Sequence, residues 1–231
     1  SSTSRGLGDV YKRQVIINID KPVGWTSFDI VKKVKRITGH KKVGHGGTLD
    51  PFASGVLILG TENDTKNLSE IAKSKKSYQA ELLLGSKTNT LDPEGEIIDE
   101  KPIPKLNELM LLKILKAFEG MQRQMPPMFS AKKHKGVRLY KLARKNIEIK
   151  RSEINVEIDD ISLVKFSKDK IIFNVSCSKG TYIRVLGSDI AEKLGTVGYL
   201  INLKRTRVGN HFIKDSASIE NFEKLWKSYT N

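Results

Sequence analysis

Residues 45–57 read His-Gly-Gly-Thr-Leu-Asp-Pro-Phe-Ala-Ser-Gly-Val-Leu and set one carboxylate, Asp50, in a loop of glycine, small residues and one proline. Glycine supplies positive φ and proline fixes φ, so such a loop can hold one defined shape. The apolar run Gly55-Val-Leu-Ile-Leu59 follows at once and predicts a buried strand. A carboxylate held on a rigid loop beside a strand is a candidate active-site group. The same residues also suit a tight turn whose aspartate satisfies backbone N–H groups. On this stretch alone the two readings stand level.

Other chemistry is thinly represented. The single cysteine, Cys177, excludes an intrachain disulfide and a thiolate metal cluster. It has no His–Asn partner pattern of a thiol nucleophile, so a buried core sulfur is the better reading. Four scattered histidines (His40, His45, His134, His211) make no HxxxH spacing, which argues against a zinc site. Gly44-His-Gly-Gly-Thr48 lacks the lysine and spacing of a phosphate-binding P-loop. Asp92, Glu94 and Glu96 do not follow calcium-loop spacing and read as solvated turn carboxylates.

The charge balance narrows the partner. Forty-one Lys and Arg against twenty-six Asp and Glu give a net charge of +15 over 231 residues. That points to a polyanion, nucleic acid before an acidic membrane, with a generally basic surface as the bland alternative. The apolar runs are too short to span a bilayer, and a reducing cytoplasm is the simplest compartment. Residues 1–14 show no periodicity and are expected to be a non-native or disordered leader.

The elements that must position Asp50 follow from periodicity. A strand at 15–19 leads through the turn Lys21-Pro-Val-Gly24 to a helix at about 28–38, opened by a Thr26…Asp29 capping pattern and closed by Gly39. A strand at 55–60 follows, and Asp64 is placed to cap a helix running to about Lys73. Further strands are expected at 77–84, 154–166, 170–177 and 199–208, with helices at 105–119, 183–194 and 218–229. Residues 121–146 read as loop, with Lys132, Lys133, Lys135 and Arg138 clustered beside Phe129 and Tyr140. By themselves they suit an RNA-binding segment and a solvated basic helix equally well. Mixed elements without a linker or repeat imply one α+β domain over 15–231 around one large sheet.

Six segments in order carry a resemblance. They are Asp20-Lys-Pro-Val-Gly-Trp-Thr-Ser27, Gly44–Leu57, and Lys76-Ser-Tyr-Gln-Ala80 with Leu84 and Gly85. Gln124-Met-Pro-Pro-Met-Phe-Ser-Ala-Lys132, Cys177-Ser-Lys-Gly-Thr-Tyr-Ile-Arg184 and Leu203-Lys-Arg-Thr-Arg-Val-Gly209 complete the set. Together they resemble the TruB family of tRNA pseudouridine synthases, from Asn18 to about Ile213. The resemblance implies the pseudouridine synthase fold, with one large mixed, mostly antiparallel sheet, and cofactor-free, metal-free isomerisation of uridine 55 in the tRNA T-loop. The target nucleotide must then leave its stack.

By that resemblance Asp50 is the catalytic aspartate, acting at the ribose as nucleophile or as the base that starts glycal formation; both routes stay open. Arg184 matches the arginine paired with it, and Tyr78 the tyrosine that stacks on the flipped uracil. Tyr182 and Leu203 match pocket-lining positions, and His45 the histidine that helps displace the base. Residues 121–146 take the place of the insertion that clamps the T-arm, giving Lys132, Lys133, Lys135 and Arg138 phosphates to neutralise. Gly46 stands where many relatives carry threonine. The chain ends before the C-terminal PUA domain of many relatives would fit, and nothing in it demands more than a monomer.

Overall fold

A computed structural model describes residues 15–130, 132–143, 145 and 147–230. The expected leader and the side chains of Lys133, His134, Tyr229 and Thr230 lie outside the described residues. The strands are β1 (Ile16–Lys21), β2 (Val43–His45), β3 (Ser54–Thr61), β4 (Lys76–Leu84), β5 (Ser86–Thr88), β6 (Ile97–Glu100) and β7 (Gly120–Gln124). They continue with β8 (Lys133–His134), β9 (Val137–Arg138), β10 (Ile154–Phe166), β11 (Lys170–Cys177), β12 (Gly198–Val208) and β13 (His211–Phe212). The helices are α1 (Ser27–Thr38), α2 (Leu68–Lys73), α3 (Glu108–Lys116), α4 (Leu139–Ala143), α5 (Ile183–Lys193) and α6 (Ile219–Thr230). This is the expected α+β class, with a mixed, mostly antiparallel sheet and helices. Among the described residues no helix is long and apolar enough to cross a membrane. Contacts gather into two compact units, one running to Lys76 and resuming at Lys204, the other Ser77–Leu203.

In the first unit β3 pairs antiparallel with β1 and β2, and parallel with the end of β12 through Lys204↔Ser54 and Arg205↔Gly55. On one face Leu57 and Leu59 pack with Ile17 and Ile19 of β1, Ile30 and Val34 of α1, and Phe222 and Trp226 of α6. On the other, Val56 and Ile58 pack with Leu68 and Val208. Burial on both faces is why this strand reads as a continuous apolar run instead of an alternating one. Helix α1 opens on a complete capping box: Asp29 N–H donates to Thr26 Oγ1 and Thr26 N–H to Asp29 Oδ2, both at 3.0 Å. These bonds, the Thr26 side chain's first, hold the Asp29 carboxyl below its ordinary pKa. Asp64 does not cap α2. It lies in a 3₁₀ turn, Glu62–Lys66, and accepts from Asn67 Nδ2 at 3.0 Å, so the chain turns once before the helix begins.

Glu223 of α6 bridges Lys33 of α1 at 2.7 Å and Lys227 at 2.9 Å, which lowers its pKa to about 2, the Lys33 bond first. Its folded value lies below the ordinary glutamate value of 4.5, so its stabilising contribution is full above pH 4.5 and fades as pH falls toward 2. Melting temperatures of wild type and Glu223→Gln should differ at pH 7 and converge near pH 2. A gap that is constant with pH would contradict this.

In the second unit the strand order is β4-β11-β10-β7. β10 and β11 occupy the predicted spans, and Cys177 on β11 is buried. Helix α3 starts at Glu108, three residues after the predicted 105, because Asn107 Oδ1 accepts from Met110 N–H at 2.9 Å and sets the N-terminus there. Residues 121–124, read as loop, are the strand β7 paired with β10. Its inward side chains are glutamines, so it carries no apolar alternation for a sequence reading to detect.

Candidate active site

The loop carrying Asp50 is fixed on both sides by buried polar groups of the first unit. Arg205, 2% exposed, donates from Nε to Val56 O at 2.8 Å, from Nη1 to Thr48 O at 3.3 Å and from Nη2 to Gly47 O at 3.1 Å. Ser27 accepts from Leu49 N–H at 2.9 Å through its hydroxyl and donates to Leu49 O at 3.2 Å. Pro51 O accepts from Gly24 N–H at 2.8 Å and from Lys21 Nζ at 3.4 Å. The buried Lys21 ammonium also donates to Pro22 O at 2.8 Å and Trp25 O at 2.6 Å, which offsets its desolvation. The turn that begins at Lys21 therefore supports the loop. Ala53 N–H closes the turn onto Asp50 O at 3.1 Å. Gly55, at φ +105, must be glycine: a Cβ there would collide with the Arg205 backbone. Asp50 is thus half-buried on a loop with little freedom. Half-buried His45 lies on β2, opposite Leu59 in register.

The second unit holds the other expected site residues. Arg184, in the first turn of α5, is 3% exposed and not a surface helix residue. Its Nη1 donates to Asp92 Oδ2 at 3.0 Å and to Thr90 O at 2.7 Å, and its Nη2 to Phe129 O at 2.7 Å. Asp92, expected to be a solvated turn carboxylate, is 3% exposed. It also accepts from Thr90 Oγ1 at 2.6 Å and Glu94 N–H at 3.0 Å. The guanidinium therefore joins α5 to the 88–95 turn and to the loop after β7. Asp92 is the residue that a sequence reading misses, because its partner lies 92 positions away.

Half-buried Tyr182 precedes α5, and Gln124 clasps its backbone, Nε2 to Tyr182 O at 3.3 Å and Oε1 from Tyr182 N–H at 2.9 Å. Tyr78 lies on β4, 8% exposed, and Leu203 on β12, 5% exposed. Further along α5, burial and then nearby Glu192 raise the Asp189 pKa to about 6, against the pull of Lys87.

The basic segment is anchored at its base and open at its tip. Arg151 Nη1 donates to Pro126 O at 3.0 Å, Tyr140 N–H to Ser130 O at 3.1 Å, and Leu139 is buried. Lys132, Lys135 and Arg138 are exposed around the β8–β9 hairpin; the Lys133 side chain lies outside the described residues.

Comparison with known proteins gives the same direction from sequence and from fold. The family profile described as TruB family pseudouridylate synthase (N terminal domain) matches residues 35–183. A tRNA pseudouridine synthase B of Clostridium kluyveri is 46% identical over 205 residues, 89% of this chain and 71% of the relative. One of Psychrobacter cryohalolentis is 42% identical over 215 residues, 91% of this chain and 60% of the relative. Among solved structures, a chain of a Cbf5–Nop10–Gar1 complex superposes with a TM-score of 0.76 at 27% identity, covering 96% of this chain and 60% of its own. A chain of an H/ACA RNP bound to a substrate RNA containing 2′-deoxyuridine gives a TM-score of 0.70 at 25% identity, covering 96% of this chain and 59% of its own. This chain therefore belongs to the TruB family of pseudouridylate synthases.

Proposed function

We propose that the protein isomerises uridine to pseudouridine at position 55 of the tRNA T-loop, with Asp50 as the catalytic residue. The observation that carries this reading is the Asp50 loop itself, tied through its backbone by Arg205, Ser27 and Lys21, all buried. Such a mount suits a carboxylate that must meet one atom, the ribose C1′ of a nucleotide taken out of its stack. The reaction breaks the N1–C1′ bond, turns the uracil and forms a C5–C1′ bond; C5 then gives up its proton to solvent and N1, which kept the electron pair of the broken bond, takes one up. Asp50 acts at the ribose, and the Tyr78 ring stacks on the freed uracil, which needs an apolar face while it turns. Tyr182 and Leu203 contact the flipped nucleotide, Arg184, held by Asp92, fixes the segment that carries Tyr182, and His45 helps displace the base. Lys132, Lys133, Lys135 and Arg138 neutralise T-arm phosphates.

The test is an unmodified tRNA transcript incubated with the full chain and mapped by carbodiimide modification and primer extension. One new stop reporting position 55 is expected. Binding without any pseudouridine would leave an RNA-binding protein and remove the enzyme; pseudouridine at another position would remove the site assignment.

A further inference from the structure

A second feature of the first unit is not used by the reaction. Between α1 and β2 lies an open pocket of about 510 Å³, walled by Phe28, Lys32, Lys35, Lys41, Lys42 and Val43. All four lysines are exposed, and among the described residues none has a salt bridge. The nearby carboxylates are committed elsewhere. Asp29 is taken by the Thr26 cap, and Glu62 Oε1 accepts the backbone N–H groups of Lys41 at 2.7 Å and Lys42 at 3.2 Å. These bonds pin residues 41–42 while leaving both ammonium groups to the pocket.

Phe28 is anomalous. The apolar face of α1 is already buried through Ile30, Val31 and Val34, yet Phe28, at the edge of that face, is left 60% exposed. Lys32 Nζ lies 4.7 Å from its ring centre, so a flat apolar surface is held beside positive charge.

We infer that this α1–β2 pocket binds a single-stranded stretch of RNA, phosphates on the four lysines and one unpaired base on Phe28. The inference rests on the protein being an RNA-modifying enzyme. It adds a binding surface separate from the basic 121–146 segment. Gly44, which also lines the pocket, is the residue before His45, so RNA held there lies next to the strand that leads into the Asp50 loop. A duplex offers no free base face to an aromatic ring, whereas a single strand does, which favours the unpaired form. A membrane surface is disfavoured because the exposed side of α1 presents one ring among lysines, not an apolar stripe.

The experiment compares wild type with the combined variant Lys32→Gln, Lys35→Gln, Lys41→Gln and Lys42→Gln, and with the same four positions changed to arginine. Fluorescence anisotropy over a salt series reads binding to an unmodified tRNA transcript and to labelled oligouridylate. The glutamine variant should bind both at least about tenfold more weakly near physiological salt, with a salt slope shallower by about two to three. The arginine variant should restore both. Phe28→Ala should weaken oligouridylate about five- to tenfold and leave binding to a blunt RNA duplex unchanged. Wild-type slopes and affinities in the glutamine variant, in a protein that still makes pseudouridine, would overturn the pocket alone. Failure of wild type to bind either RNA would overturn the pocket and the proposed function together. Loss of binding to phosphatidylserine vesicles with RNA binding intact would assign the surface to a membrane and also overturn the inference.

Discussion

Replacing Asp92 by alanine is expected to destabilise the protein by about 3–5 kcal/mol, the usual effect of removing one member of a buried ion pair. Both side chains are 4% exposed and meet at 3.0 Å, so solvent screens the interaction little. The substitution also takes the acceptor from Thr90 Oγ1 and Glu94 N–H, and the 88–95 turn loses the group around which it closes. Arg184 keeps its bonds to Thr90 O and Phe129 O, which hold it only as well as the turn and loop that carry them. Asp92→Asn should lose less, because an amide oxygen still accepts hydrogen bonds while the charge is gone. Urea unfolding of the three proteins checks the order wild type, Asn, Ala. A loss below about 1 kcal/mol for alanine would mean that the pair contributes no more than a surface salt bridge. The activity of folded Asp92→Ala should fall as well, since Arg184 is then free to leave the position that the pair defines.

How much of this could be read from sequence depends on whether a residue's partners are local. The Asp50 loop was legible because its glycines and Pro51 act through their own backbone preferences. Helix α1 was legible for the same reason, with Thr26, Asp29 and Gly39 all capping within one or two turns. Arg205 was not. In Leu203-Lys-Arg-Thr-Arg-Val208 it looks like one more cation on a basic strand. It is buried because the strand's alternation turns it inward, to carbonyls that lie 149 to 158 positions earlier. Asp92 failed for the same reason: local turn chemistry predicted solvent, and a distant arginine supplied burial. Strand β7 was hidden by Gln122 and Gln124, whose amide groups occupy positions where an apolar residue would have announced a strand. The family resemblance supplied roles for Tyr78, Tyr182, Arg184 and Leu203 that no local pattern carries.

The second large effect concerns Asp50. Asparagine has nearly the same shape, and the backbone ties made by Arg205, Ser27, Gly24 and Lys21 do not involve the replaced atoms. The loop should therefore keep its form. RNA affinity should stay within about twofold, since phosphate contacts dominate it and lie elsewhere. An amide is neither a useful nucleophile at C1′ nor a base, so the chemical step should fall by at least about 10⁴-fold. Loss of activity with binding retained would separate Asp50 from every residue whose task is to hold RNA.

That separation is best measured as tritium release from uridine labelled at C5, in a T-arm minihelix, with wild type and Asp50→Asn side by side at saturating protein. Wild type should release the label stoichiometrically and Asp50→Asn none above background, while both bind the minihelix equally. Release by Asp50→Asn at a rate near that of wild type would contradict the account.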